Sequence, residues 1–264
     1  MIIDSHIHLW DDQLVASAGW LTGTLGRSIS LDEFESVRGA VACAVVVTAE
    51  QSERETRRLL SLCEGHDSVF AVVGWLDVAV AGVGERGADL RAAPGGRGFA
   101  GMRHSVISEQ DGWLEREDVR AGVEEYSRTG LPFEVLVSAH QLDDVAVLAA
   151  RFDELTIIVD HLGNPPAESG GWDAWRASFM RLAARPNVVA KVSGLGGRRS
   201  PIDVALDLFG VERLMFGSDW PVSSTRVSYA AELAWAQAAT TGLSASERDA
   251  LFGLTAERVY GAAA

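Results

Sequence analysis

Two histidines stand two residues apart in "DSHIH" at Asp4–His8. Side chains alternate along a strand, so His6 and His8 share a face if this run is extended, with Cα atoms roughly 6–7 Å apart. Two imidazoles so placed can converge on one ion, one water or one substrate oxygen. Further polar residues close other apolar runs: Arg103 and His104 in "GMRH", His140 and Gln141 after "FEVLVSA", Asp160 and His161 in "IIVDH", Lys191 and Ser193 in "AKVSG", and Ser218, Asp219 and Trp220 in "FGSDW". His66, in "EGHDS", lies apart from this set and reads as a structural residue at a helix end. His6, His8, Asp219 and His161 offer three or four N/O ligands, which suits one Zn²⁺ or Mn²⁺ with an open position. Asp219 could also take a proton from water and return it to a leaving alkoxide. Arg103 and His140 are candidates for holding substrate oxygens. Trp10, Trp20 and Trp220 are candidates for stacking on a ring, with loop packing as the competing use. Asp160 alternates with His161 and is expected to face the helices or cap a neighbour. Lys191 either lines the interior or pairs with a buried carboxylate. Arg103 and His104 point to opposite sides, so one of them is expected in the pocket.

These residues need a frame that brings many strand ends to one place. The apolar runs "MIIDSH", "AVACAVVVTA", "SVFAVVGWLD", "GFAGMRH", "LPFEVLVSA", "LTIIVDH", "NVVAKVSG" and "RLMFGSD" read as eight strands, apolar on both faces as in a buried parallel sheet. Amphipathic segments alternate with them. "SLDE", "SERE" and "SASE" have the capping-box form at helix starts, and Ser200–Pro201 places a cap before a first-turn proline. Gly130 and Gly210 stand where helices should stop, and "NPPAESGG" reads as a loop. The pattern predicts a (β/α)₈ barrel over residues 1–264 as one domain, with Met1–His6 as first strand and Arg213–Gly217 as last, side by side. A doubly wound open sheet would want a glycine-rich phosphate turn after an early strand, and "DSHIHLWDD" is not one.

Composition narrows the partners. The 264 residues are 47% hydrophobic, enough for a large core, and carry a net charge of −14. That charge argues against nucleic acid or an anionic membrane as the main partner and favours a small molecule. Cys43 and Cys63 read as reduced core thiols. Asp4 and His6 interrupt the start, so no secretory signal is expected, and no apolar run is long enough to span a bilayer. A cytoplasmic protein is expected, with a homo-oligomer left open.

"DSHIHLWD", "GMRH", "DHLGNP", "NVVAKVSGL" and "MFGSDWPV" resemble the amidohydrolase superfamily, within it the TIM-barrel hydrolases that include sugar lactonases and pyrone-dicarboxylate lactonases. The matches run in order from Ile2 to Tyr260. The resemblance implies that His6 and His8 are the first-strand pair, His161 the sixth-strand histidine, Asp219 the aspartate handling the proton of the attacking water, and Arg103 the arginine of the family's fourth-strand segment. It also implies a hydrolase opening a small lactone, a sugar lactone being expected, by Asp-assisted attack of water, with one divalent ion or, as in some members, none. Two departures stand out: the fourth strand ends without a Lys or Glu to bridge two metals, and the stretch between strands seven and eight is short. A decarboxylase of the related branch and a non-catalytic binding barrel are the competing readings.

Overall fold

The computed structural model describes residues 1–167 and 170–261. Eight strands form one parallel sheet in chain order: β1 Ile3–Ile7, β2 Cys43–Val47, β3 Val69–Gly74, β4 Phe99–Ser105, β5 Phe133–Leu136, β6 Ile157–Val159, β7 Val188–Val192 and β8 Leu214–Phe216. Most strands are shorter than their apolar runs, while β4 continues through Arg103 and His104 to Ser105. The sheet curls nearly shut into the expected (β/α)₈ barrel. Its last seam is thin: β1 and β8 meet through one parallel bridge, Ile7–Trp220, just beyond the end of β8. Two hydrogen bonds hold it, His8 N to Trp220 O at 2.8 Å and Asp219 N to His6 O at 2.9 Å. The seam therefore runs through the candidate ligands themselves.

The outer layer follows the predicted punctuation. Helices α1 Asp12–Ser17, α2 Gly19–Thr24 and α3 Leu31–Val37 precede β2; α4 Glu53–Cys63, α5 Val83–Ala92, α6 Glu117–Ser127, α7 Leu142–Arg151, α8 Trp172–Ala183 and α9 Ser200–Phe209 follow β2 to β7 in turn; α10 Tyr229–Ala239, α11 Ala245–Asp249 and α12 Thr255–Tyr260 come after β8. Ser30, Ser52 and Ser244 each accept from the backbone N–H three residues on, and Ser244 with Glu247 forms the full reciprocal box. Ser200 differs from expectation by one residue. It is already helical, with Arg199 as the cap, so Pro201 falls at the second position. Gly210 ends α9 with φ +69°, a conformation open to glycine. Of the predicted "NPPAESGG" loop, Glu168 and Ser169 lie outside the described residues, and Asn164–Ala167 are irregular.

Branched aliphatic side chains dominate the strands and are almost wholly buried. Cys43 and Cys63 are free buried thiols within this core. Among the buried polar exceptions to apolar filling, His6, Glu134, Asp160 and Lys191 stand within 3.8 Å of one another in contacting pairs and lie beneath the site as its floor. Among the described residues no helix is long and apolar enough to cross a membrane.

Candidate active site

The first strand delivers its histidines through an irregularity. Between Asp4 and Ile7, β1 advances three residues while β2 advances two, from Ala44 to Val46. The extra residue is a β-bulge, which re-aims side chains. Asp4 accepts from Tyr229 Oη on α10 at 2.9 Å, from His6 N at 3.0 Å and from Ser218 N at 2.9 Å. One buried carboxylate thus ties together β1, the segment after β8 and an outer helix. The turn leading out of β8 is equally constrained. Asp219 has φ +58°, and a Cβ at Gly217 would come within 2.8 Å of His6 Cβ. Glycine at 217 is what allows the two strands to approach.

Four groups converge above this floor. His6 Nε2 and His8 Nε2 are 3.1 Å apart. Asp219 Oδ1 lies 3.8 Å from His6 Nε2, 3.6 Å from His8 Nε2 and 4.0 Å from His161 Nε2. The ligand atoms of His6, His161 and Asp219 all fall within 4.8 Å of one another, and His8 joins them from the side of His6 and Asp219. Zn–N bonds of about 2.0–2.1 Å give ligand-to-ligand edges of about 3.3 Å in a tetrahedron, so this set is close to the size of one ion's coordination sphere. His8 Nδ1 sits 2.8 Å from the Val47 carbonyl, which can only accept, so Nδ1 carries the proton and Nε2 offers its lone pair to the centre. His161 Nδ1 is 2.8 Å from Ser193 Oγ, and a Cβ at Gly194 would reach within 2.8 Å of that same ring nitrogen. The donor set therefore fits a single divalent ion.

The electrostatics follow from burial and from these contacts. Burial alone would raise the Asp219 carboxyl, but the histidines facing it, His161 foremost, hold it at about 2. Burial, with the nearby Lys191 charge, pushes His6 far below the ordinary imidazole range. Burial also lowers His8, partly offset by Asp219. Both first-strand imidazoles are thereby kept neutral, the form that binds metal.

Beneath them lies a second charged layer. Lys191 Nζ pairs with Glu134 Oε1 and stands 3.5 Å from Asp160 Oδ1. Arg103 donates to Thr48 O at 2.6 Å and to Asp160 Oδ2 at 3.4 Å. Asp160 therefore faces the interior and not the helices. The expected alternation fails because β6 ends at Val159, after which His161 and Leu162 adopt φ +53°. Asp160 already opens a helical turn after Val159 and His161 is left-handed, so strand alternation no longer sets the direction of either side chain. Lys191 is in the ion pair and does not line the cleft. Its ammonium occupies the space between Glu134 and Asp160.

A cleft of about 760 Å³ opens above, lined by His8, Arg103, His161 and Asp219 together with Trp20, Glu50, Gln51, Ser105, Ser108 and Asn164. Three expected substrate contacts lie elsewhere. His140 is on a short turn after β5, 64% exposed, and pairs with Asp111 at 3.1 Å. Trp10 is buried, its indole N–H donating to Arg27 O at 2.7 Å. Trp220 packs its ring against Phe34, centroids 5.6 Å apart. Loop packing claims both tryptophans, whereas Trp20 does border the cleft. His104 stacks on Trp113 at 4.0 Å and bonds Glu109, so Arg103 is the one of that pair in the pocket. Glu134, Asp4 and Glu50 were not expected. A lone glutamate inside the apolar "PFEVL" was a usable signal, since a carboxylate there must find a cation. Glu50 sits in a loop with no such mark.

A parallel barrel whose strand ends aim neutral imidazoles and an ionised carboxylate at one point defines a class of hydrolytic enzymes that activate water. The chain belongs to the amidohydrolase family: the Amidohydro_2 profile, described as Amidohydrolase, matches residues 3–262. An L-fucono-1,5-lactonase of Burkholderia multivorans (strain ATCC 17616 / 249) is 36% identical over 98% of this chain and 95% of its own length. An L-fucono-1,5-lactonase of Burkholderia ambifaria (strain ATCC BAA-244) is 32% identical over 89% of this chain and 86% of its own. A crystal structure of an amidohydrolase from Burkholderia multivorans with bound Zn superposes with a TM-score of 0.91 at 34% identity, covering 99% of both chains.

Proposed function

We propose that the protein is a lactonase that hydrolyses a neutral sugar lactone. The observation that carries this reading is the convergence of His6, His8 and His161 on Asp219, at the floor of a cleft, in a chain 36% identical to an L-fucono-1,5-lactonase over 98% of its length. A divalent ion held by His6, His8, His161 and Asp219 would lower the pKa of water toward about 7 and polarise a carbonyl oxygen. Asp219, ionised at any working pH, is a weak base, so it suits water that is already acidified. It takes the proton as water attacks the lactone carbon, then returns it to the departing ring oxygen. Arg103 has two of its N–H donors committed, to Thr48 and Asp160. Arg103 also lines the cleft, and its remaining donors would hold a substrate oxygen as charge develops there.

The lining supports a neutral polyhydroxylated ring. Among the described residues lining the cleft, Arg103 is the one permanent cation, and Asp160 already offsets its charge. Gln51 Oε1 accepts from Ser105 N at 2.7 Å, which leaves its amide N–H groups free, and Asn164 Nδ2 donates to Val137 O at 2.8 Å, which leaves its oxygen free. Donors and acceptors of this kind match sugar hydroxyls.

A pH-indicator screen of the purified chain tests this reading, using neutral aldonolactones beside carboxylated lactones, with and without a chelator. Proton release from neutral aldonolactones is expected, with kcat/KM at least about tenfold above that for carboxylated ones. Opening of carboxylated lactones alone, or CO₂ release from a carboxylic acid, would overturn it.

A further inference from the structure

His6 is held at its far nitrogen by two groups with opposite demands. Lys191 Nζ lies 3.1 Å from His6 Nδ1, and an ammonium can only donate. Asp160 Oδ1 lies 3.3 Å from the same nitrogen, and a carboxylate can only accept. Asp160 Oδ1 is also buried and accepts no hydrogen bond among the described residues, with the Lys191 ammonium beside it at 3.5 Å. Such an atom is costly unless some state of the protein satisfies it. The near nitrogen has the complementary ambiguity. His8 Nε2 presents a lone pair 3.1 Å from His6 Nε2, because His8 Nδ1 is committed to Val47 O. Two lone pairs cannot face each other at that distance with nothing between them. Without an ion, the His6 proton belongs on Nε2, donated to His8, and Nδ1 accepts from Lys191. With an ion, Nε2 must be bare and the proton belongs on Nδ1, where Asp160 Oδ1 stands ready.

We propose that Asp160 and Lys191 are positioning residues that serve the two tautomers of His6 in turn, Lys191 supporting the metal-free form and Asp160 the metal-bound form. The proton moves from Nε2 to Nδ1 with no net gain or loss. Glu134 fixes the switch in place: it pairs with Lys191 through Oε1 and accepts from Tyr260 Oη through Oε2 at 2.9 Å, anchoring the ammonium to the last helix. This rests on the reading that His6 carries the ion, and it assigns the residues that set how tightly.

Long-range ¹H–¹⁵N spectra of histidine-labelled protein test it directly. In chelated protein His6 should show a protonated Nε2; with one equivalent of zinc it should show a protonated Nδ1. Asp160→Asn should weaken zinc affinity by about 10–100-fold in a chelator-competition titration, with circular dichroism unchanged. Nδ1 protonated in both states, or an Asp160→Asn chain that binds zinc as tightly as wild type, would overturn the proposal while leaving the ion reading intact. A wild-type chain that takes up no zinc would overturn both.

Discussion

Asp219 is where burial and charge meet most sharply. Its backbone sits at φ +58°, its N–H is tied to His6 O, and three imidazoles lie within 4.0 Å of Oδ1. Asp219→Asn keeps the shape and removes the base. Turnover of a neutral sugar lactone should fall by about 10²–10⁴, the usual effect of losing an acid–base group, with the circular dichroism spectrum retained. Near-wild-type kcat in a proton-release assay would remove Asp219 from the chemistry. The thiols give a prediction of a different kind. Burial pushes Cys63 up to about 12 and raises Cys43 as well. Little thiolate exists at pH 8 and neither sulfur is exposed, so native protein should react with Ellman's reagent far more slowly than unfolded protein, which should titrate two thiols per chain.

At the scale of elements, the weak point is the seam between β1 and β8, and Asp4 is its fastening. Asp4→Ala would leave the N–H groups of His6 and Ser218 and the Tyr229 hydroxyl without their acceptor, at a cost of about 3 kcal/mol. In a chain of this length that lowers Tm by roughly 6–12 °C. His6 N and Ser218 N both donate to the same oxygen, Asp4 Oδ1, which an amide retains, so Asp4→Asn should lose less than half as much in a thermal melt. What the sequence revealed follows the same division. Strand order and the helix starts at Ser30, Ser52 and Ser244 were legible because each rests on local periodicity or capping, whereas the convergence of His6, His8, His161 and Asp219 followed from their strand-end positions in a barrel and from the family resemblance, since His161 and Asp219 lie past their strands at positive φ. Asp160 was misjudged because period-two alternation stops where β6 gives way to left-handed residues, and no local rule marks that point. His140 differs for a related reason: a polar residue just past a strand faces the cleft only if the next turn aims it there, and the turn at Ala139–Gln141 buries Gln141 and leaves His140 in solvent. Trp10 and Trp220 show that an aromatic near a barrel mouth is as readily consumed by loop packing as by ligand.

Across the whole molecule, a net charge of −14 surrounds a cleft floor where Arg103 and Lys191 are matched by Asp160 and Glu134. The space beside His6 Nδ1 and the carboxylates of Glu134 and Asp160 has the donors for a second cation, and Lys191 fills it. One ion per chain is the count this arrangement supports. The measurement that bears most directly on the account is the initial rate of proton release from a neutral sugar lactone, followed as zinc is returned in steps to fully chelated protein. The rate should start near background, rise linearly and break at one zinc per chain. Full activity in the chelated protein, or a break at two, would contradict it.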